Sequence, residues 1–219
     1  WGFPTEEYRV PQDDEIMQTL NLVGSDKLMY EEETNTLTLR DGMAIDFGGI
    51  AKGYTSSKLM DIFRKYRVSS AMVSLGGNVQ VLGTKTDGSD WRVAVQNPDG
   101  TDDYLGVLAI KDKAVITSGG YERYFEQDGK TYHHIMDNET GKPADSDLIS
   151  VTIVSEDGTL ADGLSTALFV MGKKEALEYW KKHSEEFDAI LVTKDGEITV
   201  TQGLADSFSS ERNYDITER

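Results

Sequence analysis

Asp46-Phe47-Gly48-Gly49-Ile50-Ala51-Lys52-Gly53-Tyr54 marks the point where the hydrophobic period of the chain changes. Before it, residues 27–47 alternate around turn signals at Asn35 and Asp41-Gly42, which predicts a hairpin or meander. After it, Ala51, Tyr54, Leu59, Ile62, Phe63 and Tyr66 recur at helical spacing and predict one face of a helix of roughly four turns. Glycines in such a turn let backbone approach a ligand closely, and a helix N-terminus offers unpaired N–H groups to an anion. Lys52, in the first turn, adds a point charge suited to a phosphate or a ring carbonyl.

Outward from this turn, the same two periods divide the rest of the chain. Pro11 with Asp13 and Asp14 opens a stretch in which Ile16, Leu20 and Val23 recur at helical spacing, so a helix is expected after an extended lead-in. Strands are predicted at 70–75 and 79–83, joined by Gly76-Gly77-Asn78, then at 91–96, 104–110, 114–118, 132–137 and 148–154. Helices follow at about 161–171 and 173–187, the second with Ala176, Leu177 and Trp180 on its buried side. Strands at 189–193 and 197–201 come next, and the polar tail 206–219 reads as frayed. Runs of strands with helices set apart predict an α+β fold of mixed, mainly antiparallel sheets and packed helices, not a doubly wound parallel sheet. No repeat, low-complexity stretch or linker interrupts it, so a single domain over 1–219 is expected.

A chain of 219 residues, 38% hydrophobic and 28% charged, is long enough to bury a sizeable core. Its 39 acidic against 22 basic residues give a net charge of −17, which repels nucleic-acid backbones and anionic lipid and argues against both as partners. A phosphorylated ligand stays compatible where a metal ion, a lysine or helix N-termini supply local positive field. No apolar run approaches the roughly 18 residues of a membrane-spanning helix. The absence of cysteine removes disulfides, thiolate metal sites and cysteine nucleophiles, and suits an oxidising compartment. The chain opens on Trp1 with neither a basic start nor an apolar signal core, so removal of an upstream segment is expected.

Three further stretches carry residues suited to chemistry. Thr117-Ser118-Gly119-Gly120-Tyr121-Glu122-Arg123-Tyr124 places small residues between a strand and a charged, aromatic run, as a pocket-lining loop does. In His133-His134-Ile135-Met136-Asp137-Asn138-Glu139-Thr140-Gly141-Lys142-Pro143, strand geometry points the two histidines to opposite faces. His133 then shares a face with Ile135, and His134 with Met136. In Ala161-Asp162-Gly163-Leu164-Ser165-Thr166-Ala167-Leu168, Asp162 and Thr166 stand i,i+4 with Ser165 beside them, so a carboxylate and hydroxyls share one helix face. Oxygen donors grouped this way suit a hard cation such as Mg²⁺. They equally suit a helix start favoured by the dipole, with Ser and Thr bonded back to carbonyls.

Taken in order, Asp-Phe-Gly-Gly-Ile-Ala-Lys-Gly-Tyr (46–54), Ser-Leu-Gly-Gly-Asn (74–78), Thr-Ser-Gly-Gly-Tyr-Glu-Arg (117–123), His-His-Ile-Met-Asp-Asn-Glu-Thr-Gly-Lys-Pro (133–143) and Ala-Asp-Gly-Leu-Ser-Thr-Ala (161–167) resemble the ApbE-like family of FAD:protein FMN transferases. The resemblance runs over about 1–201. It implies a T-fold-like α+β architecture and an enzyme that cleaves FAD with Mg²⁺ and releases AMP. FMN would be esterified onto a threonine or serine of an acceptor flavoprotein, often a redox-pump subunit or an extracytoplasmic flavoprotein. The implied metal ligands are the Gly49 carbonyl, Asp162 and Thr166, with Ser165 as a further candidate. Flavin contacts are implied for Asp46, Gly48, Gly49, Lys52, Thr117, Ser118, Gly119, His134 and Ile135. His134 matches the histidine near the reacting phosphate, which makes His134 and Asp162 the expected catalytic residues.

Three departures from the family pattern stand out. Asn138 replaces a proline and is expected to loosen the turn after Asp137. Gly120 replaces an aspartate common before Tyr121. A strand region that precedes the position of Trp1 in the family, and contacts the adenine half of FAD, has no counterpart in the sequence, so either the chain is a trimmed piece or weaker FAD binding is expected. The resemblance also implies extracytoplasmic action, membrane-anchored as a lipoprotein through a removed N-terminal segment, with a cytoplasmic chain as the alternative. Two other functions stay open: a FAD pyrophosphatase giving FMN and AMP, and a flavin-binding module without turnover. A redox flavoprotein ranks behind them, because no Gly-x-Gly-x-x-Gly fingerprint occurs.

Overall fold

A computed structural model describes residues 1–100 and 103–219. Helix α1 (Asp13–Leu20) is followed by strands β1 (Met29–Glu31) and β2 (Thr36–Thr38) and the long helix α2 (Ala51–Lys65). Seven strands come next: β3 (Ala71–Leu75), β4 (Asn78–Leu82), β5 (Trp91–Gln96), β6 (Tyr104–Ile110), β7 (Ala114–Gly119), β8 (Tyr124–Gln127) and β9 (Lys130–His133). Strand β10 (Leu148–Ser155) leads into helices α3 (Gly158–Met171) and α4 (Lys173–Lys182). The chain closes with β11 (Asp188–Thr193), β12 (Ile198–Thr201), β13 (Phe208–Ser209) and β14 (Asp215–Thr217). Where the sequence reading draws one domain, the described residues group into two compact units, Trp1–Asp46 with Glu122–Asp145 and Phe47–Tyr121 with Ser146–Arg219.

In the first unit, α1 starts on Asp13, Asp14 and Glu15, acidic residues at the end where the helix dipole favours them, and buries Ile16. Lys142 donates to the Asp13 carboxylate at 2.8 Å and holds that carboxyl below its ordinary range. Two hairpins complete the unit. One turns through Asn35 at φ +51° and the other through Asp128-Gly129 at φ +52° and +72°, a tight turn that needs both residues left-handed. Phe125 anchors an aromatic cluster, with Tyr8 and Tyr132 stacked on it at 5.1 and 5.2 Å. The predicted strand 132–137 is corrected here: it ends at His133, and only Met136 bridges to Pro143. Asp137 diverts the backbone, accepting from the Glu139 N–H at 2.8 Å and the Thr140 hydroxyl at 2.9 Å. That turn is knit by Asp137, with Asn138 at its start.

The second unit carries a seven-stranded sheet in the order β14-β12-β11-β10-β7-β4-β3, antiparallel at every joint except β12 with β14. Alternation sorts its two faces. Val81, Val115, Val154, Ile190, Val192, Ile198 and Val200 pack with Val93, Val95, Leu108 and Phe208 of a three-stranded sheet, β13-β6-β5. The other face, carrying Asn78, Gln80, Ser118 and Ile153, receives α2 and α3. Strands covered on both faces read as near-continuous apolar runs, and β10, β11 and β12 are buried almost end to end. Asp157 caps α3 by accepting from the Thr159 N–H at 2.7 Å, so the helix starts three residues before the predicted 161. Ala176 and Trp180 are buried on α4, as expected.

Two sequence expectations are overturned in this unit. The buried residues of α2 are Gly53, Ser56 and Met60, while Tyr54, Ile62 and Tyr66 are exposed. The cause is a close helix contact: a Cβ at Gly53 would lie 2.0 Å from the Gly158 carbonyl oxygen, so the packed face must be small. The tail is not frayed. Phe208 is buried and β14 pairs in parallel with β12, partners too distant in sequence for a local pattern to reveal.

Candidate functional site

The seam between α2, α3 and β4 buries a carboxylate. Asp162 is 5% exposed. Its Oδ2 accepts from the Gly53 N–H at 2.8 Å and its Oδ1 from Asn78 Nδ2 at 3.0 Å. The Gly53 N–H belongs to the first turn of α2, one of the donors a helix start leaves without a partner, so Asp162 caps a neighbouring helix. Each carboxylate oxygen has a second lone pair beyond these bonds. A buried carboxylate is costly unless hydrogen-bonded, and here two donors are fixed by backbone and strand.

One turn further along α3, Ser165 and Thr166 meet strand β7. The Ser118 hydroxyl lies 2.8 Å from Ser165 Oγ and 3.1 Å from Thr166 Oγ1. Ser165 also donates to the Asp162 carbonyl at 2.8 Å. Of the two sequence readings of this face, back-bonding to the helix is seen at Ser165, while Asp162 lies one turn inside α3 and not at its start. Thr117, next to Ser118 on the strand, points to the opposite face, where its hydroxyl lies 2.8 Å from that of Thr152. Gly119 is buried, and a Cβ there would strike the Tyr121 ring at 2.3 Å.

At the start of α2, the Ile50 and Ala51 N–H groups donate back to the Phe47 carbonyl at 3.0 and 2.8 Å. Gly48 and Gly49 are exposed, and a Cβ on Gly49 would meet no atom within 4 Å. Lys52 reaches the Gly76 carbonyl at 3.5 Å, against the β3–β4 turn. The structure thus brings together Ser118, Ser165 and Thr166 one turn from Asp162, with Lys52 on the same helix as Gly53 and the Gly48-Gly49 turn just before it. It does not bring Thr117's side chain to that group.

Asp46, His134 and Ile135 belong to the first unit. Asp46 is exposed at its end, immediately before the turn in sequence. Ile135 is 3% exposed, a core side chain whose carbonyl accepts from the Ala144 N–H at 2.9 Å. His134 Nδ1 lies 3.1 Å from the Arg123 carbonyl, and the ring packs edge-on to Phe3 at 6.2 Å. His133 instead turns Nε2 to the Ala144 carbonyl at 3.1 Å.

The donor set at Asp162, Ser165 and Thr166 is all oxygen, with one carboxylate and no thiolate or imidazole, which fits Mg²⁺ completed by phosphate oxygens better than Zn²⁺. Among the described residues no group of three or more His, Cys, Asp or Glu offers a rival centre. Sequence reasoning missed Asn78 and Gln80. Their signal was two amides at i,i+2 in the otherwise apolar strand Asn-Val-Gln-Val-Leu, hence on one face.

The family model described as "ApbE family" matches residues 1–191. A FAD:protein FMN transferase from Klebsiella pneumoniae is 37% identical over 211 residues, covering 95% of this chain and 65% of that protein. One from Treponema pallidum is 37% identical over 174 residues, covering 75% of this chain and 48% of that protein. Among solved structures, the ApbE protein of Thermotoga maritima aligns with a TM-score of 0.84 at 36% identity, over 91% of this chain and 64% of that one. The apo flavinyl transferase ApbE of Pseudomonas stutzeri aligns with a TM-score of 0.81 at 31% identity, over 97% and 66%. The chain therefore spans about half to two thirds of the length of these relatives.

Proposed function

The chain belongs to the ApbE family, and from that premise we propose that it transfers FMN from FAD to a threonine or serine hydroxyl of an acceptor flavoprotein, releasing AMP. The observation that carries the reading is the buried Asp162 carboxylate, held by two donors one helical turn from the Ser118, Ser165 and Thr166 hydroxyls. Asp162 and Thr166, with the Gly49 carbonyl and Ser165 as further oxygen donors, would hold Mg²⁺. Bound there, the metal supplies Lewis-acid neutralisation of pyrophosphate charge. Gly48, Gly49 and Lys52 form the anion-friendly end of α2 for the flavin nucleotide, with Ser118 and Gly119 on β7 and Asp46 as further contacts.

In the transfer itself, the acceptor oxygen bonds to the phosphorus of the FMN half, the bond from that phosphorus to the bridging oxygen breaks, and AMP leaves with that oxygen. The acceptor's proton goes to a general base, the role that the family resemblance implies for His134. Supply of a positioned base contributes typically about 10²–10⁴-fold. We further propose an extracytoplasmic site of action, membrane-anchored by resemblance to the family; the cysteine-free composition suits an oxidising compartment.

The test is incubation with FAD, Mg²⁺ and a candidate acceptor, followed by intact mass of the acceptor and detection of AMP. A gain of one FMN with AMP release is expected. Asp162→Asn should slow Mg²⁺-dependent cleavage by at least ~10²-fold, the scale of one lost transition-state electrostatic contact. Release of FMN and AMP with no mass gain would establish the pyrophosphatase instead, and no AMP at all a binding module.

A further inference from the structure

Asn78 is 2% exposed at the first position of β4, and its amide is spent on a single side chain. Nδ2 donates to Asp162 Oδ1 at 3.0 Å while the Gly53 N–H holds Oδ2 at 2.8 Å, so the plane of the carboxylate is fixed from two directions. Two residues along the same strand face, the equally buried Gln80 accepts from Ser56 Oγ at 2.6 Å and reaches the Glu156 carbonyl at 3.4 Å. Ser57 Oγ accepts from the Gly158 N–H at 3.0 Å. One face of β4 thus pins the second turn of α2, the start of α3 and the Asp162 carboxylate with side-chain amides, at positions where a strand packed on helices would ordinarily carry apolar residues.

We infer that Asn78 is a positioning residue for the cation: it sets the Asp162 carboxylate so that its remaining lone pairs face the oxygen donors of Ser165 and Thr166. This rests on the reading of Asp162 as a metal ligand. A carboxylate held only by Gly53 is free to rotate about its last bond, and the geometry demanded by Mg²⁺, near-octahedral with short bonds, punishes that freedom. Partners that orient a metal's ligands are typically worth about 10–100-fold in metal affinity.

The probe is Mn²⁺ alone, titrated by electron paramagnetic resonance into the wild-type chain and into Asn78→Ala, Asn78→Ser, Asp162→Ala and the Asn78→Ala/Asp162→Ala double variant. Circular dichroism and Tm of the metal-free proteins run alongside. Serine keeps a polar group but stops one bond short of the carboxylate, and it covers the case in which the alanine variant does not fold. The expected result is Mn²⁺ binding at least ~10-fold weaker in either Asn78 variant, loss of binding in Asp162→Ala, and no further loss in the double variant. A fall in Tm with unchanged Mn²⁺ affinity in the Asn78 variants, while Asp162→Ala loses the metal, overturns the inference alone and makes Asn78 a packing residue. Wild-type affinity in Asp162→Ala overturns the metal-ligand reading and the inference with it.

Discussion

The Arg123 carbonyl can only accept, so the His134 Nδ1 3.1 Å away is the nitrogen that donates to it. At His133 the assignment is reversed, because Nε2 donates to the Ala144 carbonyl. Neutral imidazole accepts a proton and imidazolium does not. If His134 is the base, transfer should rise with pH as its imidazole loses its proton, when measured at saturating Mg²⁺. His134→Ala should slow transfer by ~10²–10⁴-fold and flatten that limb. His133→Ala should act on stability, since it removes the hydrogen bond that ties residue 133 to residue 144 in the first unit. Loss of transfer in His133→Ala with retention in His134→Ala would reverse the assignment. The choice between the two was open to sequence reasoning only through strand alternation, and β9 in fact stops at His133. What separates them is the identity of two carbonyls eleven residues away, which no local pattern encodes.

Helix α2 and the turn before it put two glycines to different uses. Gly53 sits where a Cβ would collide with the Gly158 carbonyl oxygen at 2.0 Å, whereas Gly49 faces open space. Gly53→Ala should therefore force α2 and α3 apart, costing on the order of 1–3 kcal/mol in urea unfolding, the usual scale of overpacking. Gly49→Val should leave the fold intact and abolish FAD binding in a flavin fluorescence titration. Unchanged FAD affinity in Gly49→Val would remove the turn from the flavin site, and unchanged stability in Gly53→Ala would mean the seam relaxes freely. The limits of this helix were legible because the turn chemistry and the apolar recurrence both change near residue 50. Its orientation was not. The period-3.6 pattern selected Tyr54, Ile62 and Tyr66, but helices in backbone contact bury glycine and serine, which carry no hydrophobic signal. Asp162, Ser165 and Thr166 were readable from i,i+4 spacing, while the donors that hold Asp162 come from another helix and a strand.

The α+β class and most strands followed from local periodicity, because each strand had its own turn signals. The strand order did not, since β14 beside β12 and β13 beside β6 are long-range choices made by burial. Phe208 shows the strength of that burial: it is 4% exposed, within the core between the two sheets of the second unit. Phe208→Ala should cost ~3–5 kcal/mol, seen as a lowered urea midpoint with little change in slope. A loss below ~1 kcal/mol would mean that the tail 206–219 is dispensable to that core. The net charge of −17 belongs to the whole chain, yet α2 and the residue after its cap carry Lys52, Lys58, Arg64, Lys65 and Arg67 against Asp61, a local reversal of sign. Both compact units are discontinuous in sequence, the first resuming at Glu122 and the second at Ser146. When such a chain emerges vectorially, from a ribosome or a translocation pore, residues 1–46 must wait until residues 122–145 arrive to complete their unit. The second unit then completes its sheet only with β14, at residues 215–217. Nascent chains should therefore stay open to proteases until β14 has emerged, and holdase chaperones have that interval in which to act.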